Sequence, residues 1–534
     1  MKLSPPRPLF SSTLLLGLAL ASGCSSSSPA GSNGGLALSS VSPKTISARG
    51  GDKLTLHGAG FAKGAKVTIG GAEATKVTVV SRSEIEVTAP PLLAGKADVR
   101  LDEPGSEHAE LEGGVTVLRL DLSFGEAPAY AFPVASDPSI SGAALADFDG
   151  DGHPDLVACA PGAACRFYSN DGRGNFTDAD HASGSGGAGG SGGAGGVTVA
   201  SGAGGSGGAG GGAGGAGGGA SSTAHFLPAA PDARALVAAD FDGDGHLDLF
   251  LALGSGGPGV VYRNDGHGRF RDQGLDSMIV ETDPTTAAVA GDVDGDGLPD
   301  LILGNDTADM VPFRVYLSAG TQEALAFTPA DDGAVPARDW VVSAMALLDA
   351  DGDGDLDLVL ATPGASDGVT LRLLLNDHGS FTESPDGLPL GGAGDVAALA
   401  AGDVNGDGAA DLVVVGKGQD RLLVNDGHGH FFDATATAMP VDAAPGTAVT
   451  LVDLDRDGFL DLLIGSDGAQ TRLYLNDGTG LFLDHTPLLP IAAESVVWVG
   501  AADVDGDADQ DLVVLDSSKG SAHLYLSTEP TRAK

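Results

Sequence analysis

The sequence predicts an all-β protein, a small β-sandwich followed by a seven-bladed β-propeller. Three observations predict it. Residues 36–118 alternate apolar and polar side chains in short runs broken by glycine and proline, the pattern of half-buried strands. From about residue 119 to the end, one acidic loop recurs seven times at a spacing near fifty residues, the period of a propeller blade. Each unit between loops holds apolar runs and glycine turns for about four short strands, which suits a closed ring of blades.

The sandwich comes first. KLTLHG (53–58), AKVTIGG (65–71) and SEIEVTAP (83–90) alternate with period two, and no helical period of comparable length competes. Val41-Ser42-Pro43, Gly50-Gly51, LTLHGAGF (54–61), VTIGG (67–71) and Ala89-Pro90-Pro91 together resemble the IPT/TIG family of immunoglobulin-like (Ig-like) domains. That resemblance implies an Ig-like β-sandwich over 36–118. It also implies a spacer or binding module of the kind found in bacterial surface proteins, with no catalytic residue.

The repeats occupy 119–534. Their loops begin at Asp147, Asp240, Asp292, Asp349, Asp403, Asp453 and Asp503, at spacings of 93, 52, 57, 54, 50 and 50. Residues 182–222 form a Gly/Ala/Ser tract of 41 residues, without which the first spacing falls to 52. The tract cannot build a core and reads as a disordered insertion within an ordinary unit. After each loop comes an apolar run such as DLFLAL (248–253) or DLLIG (461–465). A second run ends in Asn-Asp-Gly: RFYSNDGRGNF (166–176), VYRNDGHGRF (261–270), RLLVNDGHGHF (421–431) and RLYLNDGTGLF (472–482). Unit four shortens this to NDHGSF (376–381), and unit three has LSAGTQEALAF (317–327). Asn-Asp and Asp-Gly pairs are expected to supply the positive φ of tight turns. An open solenoid is the alternative to a ring. Ring closure requires the segment 122–132 to share a blade with the C-terminal run 523–527.

The loop itself reads D-x-D/N-x-D-G-x-x-D. Positions 1, 3, 5 and 9 are Asp147, Asp149, Asp151 and Asp155 in the first copy, then Asp240, Asp242, Asp244 and Asp248. The third and fourth copies have Asp292, Asp294, Asp296 and Asp300, and Asp349, Asp351, Asp353 and Asp357. The last three have Asp403, Asn405, Asp407 and Asp411; Asp453, Asp455, Asp457 and Asp461; and Asp503, Asp505, Asp507 and Asp511. Alternate carboxylates of a curled loop point at one centre, and hard oxygens suit Ca²⁺, which accepts six to eight of them in loose geometry. Position 7 would offer only its carbonyl and so varies freely. Position 6 is a turn glycine. The alternative is a solvated acidic turn without metal. An EF-hand is excluded, because position 12 is Ala158 in the first copy and strands flank every loop.

These units resemble the FG-GAP/VCBS repeats of integrin-α-like propellers, over about residues 124–527. The resemblance implies seven blades and calcium in the loops, up to seven ions, and leaves the ligand open. Seven Ca²⁺ would bring the formal charge from −44 to −30. Asn405 loses a charge, so loop five is expected to bind more weakly. Ala508 replaces the position-6 glycine, which makes loop seven the least certain site.

The N-terminus reads as a targeting segment. LLLGLALA (14–21) is too short to span a bilayer, and Ala21-Ser22-Gly23-Cys24 resembles a bacterial lipoprotein signal. Residues 1–23 are then a signal peptide, Cys24 the lipidated residue and 24–35 a flexible tether. An ordinary secretory signal with an incidental cysteine is the alternative. Cys159 and Cys165 are expected to bridge in an exported protein, with two unpaired thiols as the alternative. The formal charge of −44 argues against nucleic acid and against electrostatic docking on anionic lipid, leaving the N-terminal lipid as the membrane contact.

No motif assigns a catalytic residue. His267, His428 and His430 sit in or beside turns and read as exposed, and Trp340 and Trp498 read as blade core. The leading expectation is a cell-surface or periplasmic binding or adhesion lipoprotein that recognises a protein or a glycan. The alternatives are a propeller enzyme, hydrolase or lyase, acting on an envelope or extracellular polymer, and a structural envelope component.

Overall fold

A computed structural model describes residues 36–47, 50–90, 92, 95–104, 108–118, 122–128, 140–160, 165–178, 227, 233–253, 259–273, 284–305, 311–321, 324–331, 333–389, 394–490, 494–517 and 521–527. The signal segment 1–23, Cys24, the tether 24–35 and the tract 182–222 lie outside the described residues. Among those described, no helix is long and apolar enough to cross a membrane.

Residues 36–118 form two facing sheets. One orders Ala37–Ser42, Lys53–Ala59, Glu84–Thr88 and Thr75–Ser81; the other orders Thr45–Ser47, His108–Leu118, Gly95–Asp102, Lys66–Ile69 and Ala72–Glu73. The alternation seen in the sequence is the reason. Leu54, Leu56, Val67, Ile69, Ile85, Val87, Val99 and Leu101 all turn inward to one core, while their neighbours face water.

The remainder is a ring of four-stranded antiparallel blades. Blade one comprises Gly142–Ala146, Asp155–Cys159, Arg166–Asn170 and Phe176–Asp178; blade two comprises Ala233–Ala239, Asp248–Leu253, Val260–Asn264 and Phe270–Asp272. The second strands, such as DLFLAL, are buried over at least their first five residues because a neighbouring blade covers each face. The first strands line the axis and are rich in small residues, as in ARALVAA, TTAAVAG and VAALAAG. Small side chains let seven strands converge, and each first strand touches the next around the ring, the seventh touching the first. The apolar cores lie between blades: Leu249 and Tyr262 of blade two pack with Val157 and Phe167 of blade one. Likewise Val513 and Leu515 of blade seven pack with Leu156 and Tyr168 of blade one.

The ring closes where the sequence requires it. Blade seven takes Glu494–Ala502, Asp511–Asp516 and Ser521–Ser527 from the C-terminal end and its outer strand, Phe124–Glu126, from the start of the repeat region. Phe124 faces Ser527 and Glu126 faces Tyr525. In every blade the acidic loop joins the first two strands, and in blades one to six the Asn-Asp-Gly turn or its substitute joins the last two. Both therefore lie on the same face of the ring.

Candidate metal centres

Each acidic loop is built by its own carboxylates. The position-1 carboxylate accepts from the backbone N–H of position 6 at 2.9–3.2 Å in all seven copies. Position 3 accepts from the N–H of position 5, and position 5 from that of position 7, again in all seven. These Asx-type turns curl the chain and gather the side chains. Carboxylate oxygens of Asp147, Asp149 and Asp155 lie within 4.8 Å of one another, as do those of Asp292, Asp294 and Asp300 and of Asp349, Asp351 and Asp353.

Position 9 has a second role that its spacing does not disclose. Asp155, Asp248, Asp300, Asp357, Asp411, Asp461 and Asp511 are fully buried. One oxygen of each accepts from the position-2 N–H, and the other from an N–H at the end of the third strand: its last residue, or in blade four Asn376, the last but one. These carboxylates pin loop to strand. Burial pushes Asp300, Asp357 and Asp411 up to about 6, Asp155, Asp248 and Asp511 to about 7 and Asp461 to about 8, against the pull of the backbone donors.

Loop six shows the strongest demand for a cation. Asp455 and Asp457 are nearly inaccessible. Burial, then the charges of Asp461 and the other loop carboxylates, hold Asp455 far above the usual carboxylate range, and burial raises Asp457 too. Asp457 Oδ2 is buried without a hydrogen-bond partner. Arg456, at position 4, is directed elsewhere, its Nη1 lying 3.6 Å from Asp509 of loop seven. Buried, mutually repelling hard oxygens with one orphaned atom fit Ca²⁺.

The Asn-Asp-Gly turns take their positive φ from the Asp-Gly pair as expected, and the asparagine has a different role. In the four full Asn-Asp-Gly turns the positive φ belongs to the glycines, such as Gly172 (68°) and Gly174 (72°), and in the shortened turn of unit four to His378 (50°) and Gly379 (88°), but nowhere to Asn or Asp. The asparagine is buried and reaches into the preceding blade. Asn264 Nδ2 donates to Phe148 O at 2.8 Å, Asn170 to Val504 O, Asn376 to Val293 O, Asn425 to Ala350 O and Asn476 to Val404 O. Ser318 Oγ does the same to Phe241 O. These are stitches between blades at the floor of each loop. Position 7 is also less free than its variety suggests. A Cβ on Gly172, Gly266 or Gly478 would strike the rings of His153, His246 and Phe459 at 2.3–2.6 Å, so the turn glycine makes room for the position-7 side chain.

Loop seven keeps the full bond set although Ala508 adopts a φ of 74°. Asn405 takes the position-3 role, accepting from Asp407 N at 2.9 Å. Cys159 and Cys165 are joined in a disulfide. His267, His428 and His430 are exposed. Trp340 is buried under the Arg372 guanidinium, 4.0 Å from its ring, and Trp498 is half-buried against the core between blades seven and one.

Comparison with known proteins agrees with this architecture. The FG-GAP-like repeat model matches residues 240–303, 292–360, 349–414, 403–464 and 453–514, the FG-GAP repeat model matches 140–175, and the IPT/TIG domain model matches 36–115. No curated protein matches the chain. Among solved structures, BBS1N in complex with ARL6DN is 13% identical, covering 77% of this chain and 98% of its own, with a TM-score of 0.45. An auxiliary nutrient binding protein from Bacteroides thetaiotaomicron is 11% identical, covering 92% and 97%, at 0.36. An Agrocybe aegerita lectin that recognises non-reducing terminal N-acetylglucosamine is 16% identical, covering 82% and 91%, at 0.40. With the repeat models following one another around a ring of four-stranded blades, the chain belongs to the FG-GAP-like repeat family and carries an IPT/TIG domain ahead of its repeats.

Proposed function

We propose that this is an exported, calcium-stabilised binding protein of the cell surface or periplasm, tethered through Cys24, which recognises a protein or a glycan in the manner of an adhesin. One observation carries the reading: the loop carboxylates are committed to building. In each copy, positions 1, 3, 5 and 9 accept backbone N–H groups that fix the loop or pin it to a strand. They form a scaffold that calcium would complete, and not an acid–base pair facing a substrate. Asp147, Asp149, Asp151 and Asp155, with their counterparts through Asp511, would hold the ions, and the chemistry supplied is cross-linking of the loops.

The acidic face is also partly covered. A Cβ on Gly95 of the N-terminal sandwich would lie 3.4 Å from Asp457 O, and Lys96 Nζ lies 4.8 Å from the centre of the Phe459 ring. The opposite face, made of the second-to-third strand and blade-to-blade connections, is the one left for a partner. Val441, 99% exposed in such a connection, is the natural probe. The disulfide supports an exported location. The test is a glycan array and a pull-down from envelope and extracellular fractions with the calcium-loaded protein. Saturable binding that EDTA abolishes and Val441→Asp weakens is expected. Binding no greater than background in both would sink the proposal in favour of a purely structural component.

A further inference from the structure

Asp240, Asp242 and Asp248 of loop two gather as the acids of the other loops do, but among the described residues loop two alone has an arginine forked across its position-3 and position-5 carboxylates. Arg263, on the third strand of blade two, places Nε 2.5 Å from Asp242 Oδ2 and Nη2 2.7 Å from Asp244 Oδ2. These are the position-3 and position-5 carboxylates, the two whose second oxygens are turned away from the backbone. Asp242 is fully buried in this pair and the arginine is about four-fifths buried. The guanidinium bridges two acids in a fixed fork, the arrangement in which arginine binds carboxylates most firmly.

The other blades hold Ser169, Leu317, Leu375, Val424, Leu475 and Leu526 at the equivalent place, one residue before the third-strand residue that donates to the position-9 carboxylate. The place itself adjoins the loop in blades three, four and seven. In blade seven, Leu526 and the Cβ of Asp505, at position 3, flank the same turn glycine, Gly174; Leu375 and Asp351 do so at Gly429. An arginine there reaches the acids, and a leucine cannot neutralise them.

We propose that Arg263 replaces the calcium ion at loop two, so that this blade is pinned by a guanidinium and stays closed when calcium is withdrawn. The inference rests on the reading that the other loops take calcium. One positive charge held on a side chain meets the same need as the ion at Asp242 and Asp244. It does so permanently, and its occupation of both free oxygens leaves an incoming ion to displace a bidentate ion pair.

The test is calcium stoichiometry by equilibrium dialysis and metal analysis on the full chain, for wild type and Arg263→Leu. Leucine stands at this position in four other blades, so the variant is compatible with the fold; Arg263→Gln is the second variant. Both variants are expected to bind one more Ca²⁺ than wild type. In EDTA, both should show at least tenfold faster amide exchange over 240–248, restored by calcium. If calcium binds but neither variant gains an ion, the replacement is overturned. If no form binds calcium, the calcium reading falls with it, and retained EDTA-resistant protection of 240–248 in the variants would show that Arg263 is not the pin.

Discussion

Loops two and six have the same acidic pattern and nearly the same burial, yet they balance their charge in opposite ways. Position 3 is almost inaccessible in both, as Asp242 and Asp455. In loop two, a guanidinium sits on that carboxylate and on its neighbour. In loop six, the equivalent residue is Leu475, Asp455 is held well above the usual carboxylate range, and Asp457 keeps an unpartnered oxygen. The lesson is that the motif specifies a turn and a concentration of negative charge. The source of the positive charge is decided by a residue outside the motif.

The largest effect expected from this contrast is on calcium removal. Each occupied loop gains about 2.7 kcal/mol when free calcium is a hundredfold above Kd. Stripping several such loops should lower Tm by on the order of 10 °C. The loss should also be local: in EDTA, amides of 453–461 should exchange much faster while those of 240–248 hold their protection. Uniform deprotection of both loops would break the comparison, and an unchanged melt would remove calcium from the account.

Next in size is a pH dependence confined to the calcium-free protein. An unfolded aspartate titrates near about 3.9, whereas Asp461 in the folded loop is pushed up to about 8 and Asp455 is raised as well. Above the unfolded value the native state binds more protons than the unfolded chain, so stability falls as pH rises through this window. The contribution is complete below about pH 4 and gone above the folded values. Comparing wild type with Asp455→Asn in EDTA cancels the other titrating groups. The wild type should lose several degrees of Tm more than the variant between pH 5 and pH 8, and saturating calcium should erase the difference by displacing the protons. Parallel profiles in EDTA would count against a charge-starved loop six.

How much of this was legible in the sequence follows from the range of each interaction. The blade count and ring closure were, because the loop recurs in phase and the segment around Phe124 had to complete the last blade. The curl of the acidic loop was as well, since the turns that make it join residues two to five apart. The stitches were not: Asn264 reads as a turn residue, and its acceptor, Phe148 O, lies 116 residues away on another blade. Arg263 was equally hidden. It stands 19 and 21 residues from the acids it neutralises, in a strand whose residues alternate between the two faces. Nothing in the composition of that strand indicates which charge it meets. Position 9 was half legible, its place in the motif evident but its burial under two backbone donors dependent on the third strand.

The stitches sharpen the same comparison at smaller scale. Ser318 Oγ donates to Phe241 O at the floor of loop two, 2.8 Å away. Ser527, the equivalent residue of blade seven beside loop six, keeps its Oγ buried without a partner. Ser318→Ala should therefore cost about 1–3 kcal/mol, the price of an orphaned buried carbonyl. Ser527→Ala should be close to neutral. Urea denaturation of the two variants measures the difference, and equal costs would mean that the contrast between these two interfaces is not energetic.

Loop seven supplies the smallest effect and separates backbone strain from charge. Ala508 holds a φ of 74° where six loops have glycine, yet its N–H still reaches Asp503 Oδ2 at 2.9 Å, the distance found in most of its companions. The carboxylate cage is thus intact and only the backbone is strained, at about 1–2 kcal/mol. Replacing Ala508 with glycine removes that strain but adds about 0.5–1 kcal/mol of unfolded-state freedom. The variant should gain about 0–1.5 kcal/mol of stability in urea, by difference of those two terms, and its calcium stoichiometry should not change. A gained ion would mean that the alanine, and not the arrangement of acids, governs occupancy. The contrast between loops two and six would then have to be recast in terms of loop geometry, with the charge on Arg263 secondary.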